Sequence, residues 1–140
     1  MTRAVFDASA LAKTLVDERG SAEAEAALAG TKEPIAPDWA VVELAQVLWK
    51  RSRRGDMSPS QAIDRLDAAK RSAVEFIPTL DEVPLALAIA LDQSHSVYDC
   101  LYVATALTEE ASLVTADAKL ATIAQRCGVP VTLIGAAPRA

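Results

Sequence analysis

Four carboxylates interrupt otherwise apolar stretches, and any fold this chain adopts must provide for them. They are Asp7 in Val5-Phe6-Asp7-Ala8-Ser9, Glu43 in Val41-Val42-Glu43-Leu44-Ala45, Asp99 in Val97-Tyr98-Asp99-Cys100-Leu101 and Asp117 in Leu113-Val114-Thr115-Ala116-Asp117. An ionised carboxylate beside a core is costly unless it is paired, hydrogen-bonded or bound to metal. No Lys or Arg lies within three residues of Asp7, Glu43 or Asp99. If the acids converge, two of them ~4 Å apart repel by ~4 kcal/mol at an effective dielectric of 20. A divalent cation would remove that repulsion, so the pattern points to a carboxylate cage for a hard metal.

The stretches between the acids set the fold class. Arg3 to Phe6 reads as a short buried strand, followed by a helix that Ser9 can cap and that carries Leu11, Leu15 and Val16. Ser21 starts an Ala/Glu-rich helix that stops at Gly30, and Pro34-Ile35-Ala36-Pro37 reads as an extended connector, because proline disfavours helix at the residue before it. Asp38 then caps a helix that runs to the basic end Lys50-Arg51-Ser52-Arg53-Arg54. Ser58-Pro59-Ser60-Gln61 starts another, with Ser as N-cap, Pro at N1 and Gln at N3. Val74 to Ile77 is a strand, Asp81-Glu82 open a helix ending near Gln93, and Ser96 begins the helix of Asp99. Leu113 to Thr115 is a strand, Ala118 to Arg126 a helix and Val131 to Ile134 a last strand. Alternating strands and helices predict a parallel sheet with helices on both faces and a helical hairpin inserted after the first helices. At 140 residues this is one domain, spanning 1–135, with a short tail at 136–140.

Composition narrows the function classes. No apolar run reaches the ~18 residues of a membrane span, and the start Met1-Thr2-Arg3 shows no signal-peptide pattern. Cys100 and Cys127 lack metal-ligand spacing and give no disulfide framework, so the cytoplasm is the expected compartment. A net charge of −5 argues against a generic nucleic-acid binder. Two bound divalent cations would take it to −1, so a polyanionic substrate stays open.

Asp7 and Asp117 fall just past predicted strand ends, where open α/β sheets bind ligands, and Glu43 and Asp99 lie in first turns of helices. Each acid also has an ordinary reading. Asp117 and Asp7 can be N-caps, and Ser96-x-x-Asp99 is a variant of the capping box. Glu43 is hardest to dismiss, since apolar residues surround it at helical spacings. Ser9 and Thr115, two residues from an acid, can orient it or a water. His95 reads as a loop residue before a ligand or base, and Tyr98 and Tyr102, at i,i+4, as core before base-stacking platforms. Lys50, Arg51, Arg53 and Arg54 suit a helix C-terminus, with an RNA phosphate contact as the second use.

Taken in series, Val5-Phe6-Asp7-Ala8-Ser9-Ala10-Leu11, Glu43 in its Leu/Val helix, Tyr98-Asp99-Cys100-Leu101-Tyr102-Val103-Ala104 and Val114-Thr115-Ala116-Asp117-Ala118-Lys119-Leu120 resemble the PIN-domain family. The likeness is to the small toxin ribonucleases of VapBC toxin–antitoxin pairs, and it spans almost the whole chain. It implies that Asp7, Glu43, Asp99 and Asp117 are catalytic and hold Mg²⁺ or Mn²⁺, as one or two ions. It also implies an RNA substrate, a homodimer, and a cognate antitoxin inserting an Arg-bearing tail. Val103 stands where some members carry a further acid, which leaves the holding of a second metal open.

Mg²⁺ prefers oxygen ligands and keeps several waters, which suits hydrolysis of RNA phosphodiesters without a Cys, Ser or His nucleophile. Two other readings remain. A dehalogenase- or receiver-type phosphotransfer protein also places an Asp after its first strand, although Ser9 occupies the second position of the expected Asp-x-Asp. The other is a non-catalytic binding module whose acids are caps.

Overall fold

β1 (Arg3–Phe6) lies at the centre of a five-stranded sheet and is buried on both sides, with Ala4, Val5 and Phe6 all fully inaccessible. In this computed structural model residues 2–135 are described; Met1 and the expected tail at 136–140 lie outside them. From β1 the chain passes through α1 (Ala8–Leu15) and α2 (Ser21–Ala29) to β2 (Glu33–Pro37). A hairpin of α3 (Trp39–Arg53) and α4 (Pro59–Lys70) leads to β3 (Glu75–Ile77). A 3₁₀ turn at Leu80–Glu82 opens α5 (Val83–Gln93), followed by α6 (Val97–Thr108) and β4 (Ser112–Thr115). α7 (Ala118–Arg126) and β5 (Val131–Leu133) complete it.

All pairings are parallel and the order is β3-β2-β1-β4-β5. The chain builds outward from β1 to β3, then crosses back to β4 on the other side of β1. Right-handed crossovers therefore put α1 to α4 on one face and α5 to α7 on the other. The expected parallel sheet, flanking helices and inserted hairpin are all present. α6 is central: Cys100 through Ala106 are buried without a break, so it is covered on every side.

One expectation is corrected. The stretch Pro34 to Pro37 is not a connector but part of β2, between β1 and β3. Glu33 donates its N–H to Thr2 on the β1 side and Asp38 donates to Ile77 on the β3 side, which fixes the alternation along β2. Pro34 then faces β3 before that ladder begins at Ile35–Glu75, and Pro37 faces β1 after the β1–β2 ladder has ended at Val5–Ile35. Each proline thus lacks an N–H only where no ladder pair needs one.

The strand order reverses between β1 and β4, and a crevice at such a switch point is where sheets of this kind bind ligands. Asp7 and Asp117 follow these two strands.

Candidate active site

Asp7 occupies the N-cap of α1, with extended backbone. Its Oδ1 accepts the Ala10 N–H at 2.9 Å and the Ser9 hydroxyl at 2.7 Å, and its Oδ2 accepts the Thr115 hydroxyl at 2.5 Å. Ser9, expected to cap this helix, is instead its second residue. Asp7 takes the cap because it immediately precedes Ala8 and faces the Ala10 amide. The two hydroxyls also tie β1 to β4: Ala116 N–H donates to Ser9 Oγ and Asp117 N–H to Thr115 Oγ1, both at 3.0 Å. Asp7 is only 3% exposed. Burial pushes its carboxyl from 3.8 up to about 6, against the pull of the three donors and with the charge of Asp117 adding to the rise.

Glu43 lies in the second turn of α3 and is half-buried. Burial raises its pKa; the Tyr102 hydroxyl, donating to Oε1 at 2.8 Å, works against that, and the charges of Asp99 and Asp7 add to it. Tyr102 is 1% exposed, and burial together with Glu43 holds its hydroxyl protonated as a donor.

Asp99 is the third residue of α6, whose N-cap Ser96 accepts the Asp99 amide at 3.3 Å. The Asp99 carboxylate does not return a bond to Ser96; its Oδ2 meets His95 Nε2 at 2.7 Å. Asp117 caps α7, its Oδ1 accepting from Lys119 at 2.9 Å and Leu120 at 3.3 Å.

The four acids form one electrostatic neighbourhood, since Asp99 and Asp7 act on Glu43 and Asp117 acts on Asp7. Among the described residues none of them pairs with a Lys or Arg. They do not form the closed cage that the sequence suggests: no three Asp, Glu, His or Cys side chains among the described residues are grouped to hold a metal. Like charges without a counterion separate, and each acid here takes its nearest donor. The donor set still suits a hard divalent cation, being all carboxylate oxygen with no neutralising side-chain cation.

The basic cluster is not brought to these acids. Arg51 lies about 12 Å along the α3 axis from Glu43. Arg51 pairs with Glu18, Arg54 pairs with Asp56 at 2.8 Å, and Arg53 lies over the Trp49 ring at 5.2 Å. Lys50 is exposed.

The sequence reading missed three participants. His95 is a loop residue, as expected, but it holds Asp99; the available signal was its four-residue spacing to an acid. Tyr102 is core, as expected, but its hydroxyl holds Glu43, and its three-residue spacing from Asp99 put it on the same helix face. Tyr98 is not core: it is 61% exposed and stacks on Trp39, with ring centroids 5.7 Å apart. Trp39–Tyr98 and Glu43–Tyr102 are the same four-residue step on α3 and α6, so the two helices meet through one aromatic and one polar contact a turn apart.

With this geometry in hand, comparison with known proteins is informative. The family model for the PIN domain matches residues 4–125. Ribonuclease VapC3 of Pyrobaculum aerophilum is 35% identical over 119 residues, which are 84% of this chain and 91% of that protein. Among solved structures, PAE2754 from Pyrobaculum aerophilum gives a TM-score of 0.74 at 20% identity, covering 93% of this chain and 89% of that one. VapBC2 from Rickettsia felis, bound to a DNA fragment from their promoter, gives 0.68 at 16% identity over 95% and 99%. FitAcB from Neisseria gonorrhoeae gives 0.66 at 13% identity over 91% and 95%. At these identities the three structures speak to the fold.

Proposed function

The chain belongs to the PIN-domain family, and from that membership we propose that it is a metal-dependent endoribonuclease, the toxin of a VapBC-type toxin–antitoxin pair. The observation that carries the chemistry is Asp7, a carboxyl 3% exposed, neighboured by acids and paired with no Lys or Arg among the described residues. A buried acid left unbalanced in a crevice is a functional group before it is a structural one.

Asp7, Glu43, Asp99 and Asp117 are the residues that would hold Mg²⁺ or Mn²⁺. A divalent cation held there would supply the positive charge that these acids need before a phosphodiester can approach them, and Lewis acidity toward water. The chain's own residues set the stage. Ser9 and Thr115 fix the rotation of Asp7, Tyr102 fixes Glu43, and His95 fixes Asp99. Cys100 takes no part as a nucleophile: it is buried, and burial pushes its thiol up to about 11.

The partner reading is an antitoxin whose tail lays an apolar segment near Trp39 and Trp49 and inserts an Arg among the four acids. A guanidinium pairs well with carboxylates and would compete with metal there. An apolar groove beside Trp49, with Leu48, Ile63 and Leu66, supports such a tail. The chain also works as a homodimer in this reading, with the exposed Leu80 and Leu91 as available apolar surface. Lys50 and Arg53 are the RNA-backbone candidates best placed to be tested, because Arg51 and Arg54 already have acidic partners. Reversing both to Glu should flatten the salt dependence of RNA binding.

The deciding experiment is RNA cleavage by the purified chain. It should vanish with EDTA and return with Mg²⁺ or Mn²⁺. Cleavage that survives exhaustive chelation would overturn the mechanism, and absence of growth arrest at confirmed soluble expression would overturn the toxin role.

A further inference from the structure

We propose that the cleft beside the carboxylates is a nucleobase subsite, in which Trp39 and Tyr98 stack an unpaired base of the RNA strand. This rests on the ribonuclease reading of the same site and adds to it what the site recognises. Trp39 and Tyr98 open α3 and α6, and their rings lie stacked with an interplanar angle of 12°. Both remain exposed, at 37% and 61%. Two large rings held parallel at the surface leave π-faces without a partner.

The two rings line a cleft of about 420 Å³ that also contains Glu43, Asp99, Gln46 and Ser96. A planar base that extends the stack would turn its edges toward Gln46 and Ser96. The Gln46 amide has no hydrogen bond among the described residues and can both donate and accept. Ser96 Oγ accepts from the Asp99 amide and keeps its hydrogen to donate. Continuity selects the occupant: Glu43 and Asp99 belong both to the carboxylate site and to this cleft, so a strand with its phosphate at the acids brings an adjoining base to the rings. The cleft is itself acidic, and the rings rather than the phosphates must therefore hold the nucleotide there. Base stacking on aromatic side chains tolerates any base, so the subsite selects unpaired strands over duplex.

The test uses the full chain carrying Asp7→Asn, to prevent cleavage, and Trp49→Phe, so that tryptophan emission reports Trp39. Single-stranded homopolymer RNA oligonucleotides are titrated in Mg²⁺, each also with one abasic residue moved along the strand. RNA should quench the emission, and one abasic position should weaken binding about tenfold. Tyr98→Ala should weaken binding of intact RNA by a similar factor and erase the abasic penalty, while Tyr98→Phe, which retains the ring, should bind as the parent does. Equal RNA affinity for Tyr98→Ala and the parent, or an abasic penalty that persists in Tyr98→Ala, overturns the subsite while leaving the ribonuclease reading intact. Capture of an Arg-containing apolar peptide through these rings, with RNA affinity unmoved by them, gives the cleft to a protein partner and overturns it as well. A chain that neither binds nor cleaves any RNA removes the function and the subsite together.

Discussion

At its first residue β1 carries Arg3, whose guanidinium reaches Glu33 at 3.3 Å and Glu109 at 3.4 Å. Just past its last residue stands Asp7, with Asp117 and Glu43 as electrostatic neighbours and, among the described residues, the hydroxyls of Ser9 and Thr115 as its side-chain donors. One short strand thus has a balanced end and an unbalanced end. At the balanced end acids lie beside a cation in solvent, an arrangement of small energetic consequence. At the other, a carboxyl is buried with no Lys or Arg partner among the described residues, which burial alone disfavours. On the ribonuclease reading the difference separates an end that serves the fold from an end that serves the chemistry.

The largest expected effect tests that directly. Asp7→Asn should lower RNA cleavage by about two to three orders of magnitude, as loss of a central electrostatic group does. Arg3→Gln, at the opposite end, should leave cleavage unchanged. Comparable losses from both changes, measured as kcat/KM on one RNA, would erase the distinction between the two ends.

Stability should move the other way. Because the Asp7 pKa is raised in the folded chain, the fold holds that proton more tightly than the unfolded chain does. The contribution of Asp7 to metal-free stability is therefore fully present below 3.8 and is lost as pH rises through about 6. The loss is about 3 kcal/mol at most. In EDTA, Asp7→Asn should flatten this dependence and hold or raise the melting temperature near neutral pH. Asn keeps a capping oxygen, so a marked destabilisation by Asp7→Asn near neutral pH would overturn this expectation, whereas Asp7→Ala also loses the cap, at ~0.5–2 kcal/mol.

Smaller again is Tyr102→Phe. It keeps the buried ring and removes only the donor to Glu43, so metal affinity should fall about 10- to 100-fold, the range seen when a ligand's supporting hydrogen bond is lost. Mn²⁺ titration by calorimetry measures this apart from activity. Losing the donor should also raise the Glu43 pKa further and move the cleavage profile to higher pH. The smallest effect belongs to the balanced end, where Arg3→Ala should cost under about 1 kcal/mol in denaturant unfolding, and less in high salt.

The sequence discloses the sheet, the helices and the acids because each carries a local signal. Apolar runs mark β1 and β4, Ser58-Pro59-Ser60-Gln61 marks the start of α4, and the apolar setting of Glu43 separates it from a solvated face. What stays hidden depends on partners distant in sequence. Whether Pro34 and Pro37 permit a strand depends on which neighbour each nitrogen faces, and that requires the strand order. The hydroxyl of Tyr102 has meaning only against Glu43, 59 positions away. Competition also misleads a local reading: Ser9 and Asp7 both suit a cap, and the register of the helix start decides between them. The spacing of the acids is hidden for a similar reason. Sequence shows that acids can converge, but not the local donors that draw each one aside.

The bond from Thr115 to Asp7 has a consequence in time. Its two halves are 108 positions apart, so a ribosome makes the acid long before the hydroxyl that steadies it. Until β4 has emerged and paired beside β1, Asp7 lacks both the Thr115 hydroxyl and the neighbouring charge of Asp117. Contacts across so long a loop form late, after local helices. On the ribonuclease reading the site is thus incomplete until the segment carrying Thr115 and Asp117 has been made and has paired with β1, and the message being read meets no assembled site before then.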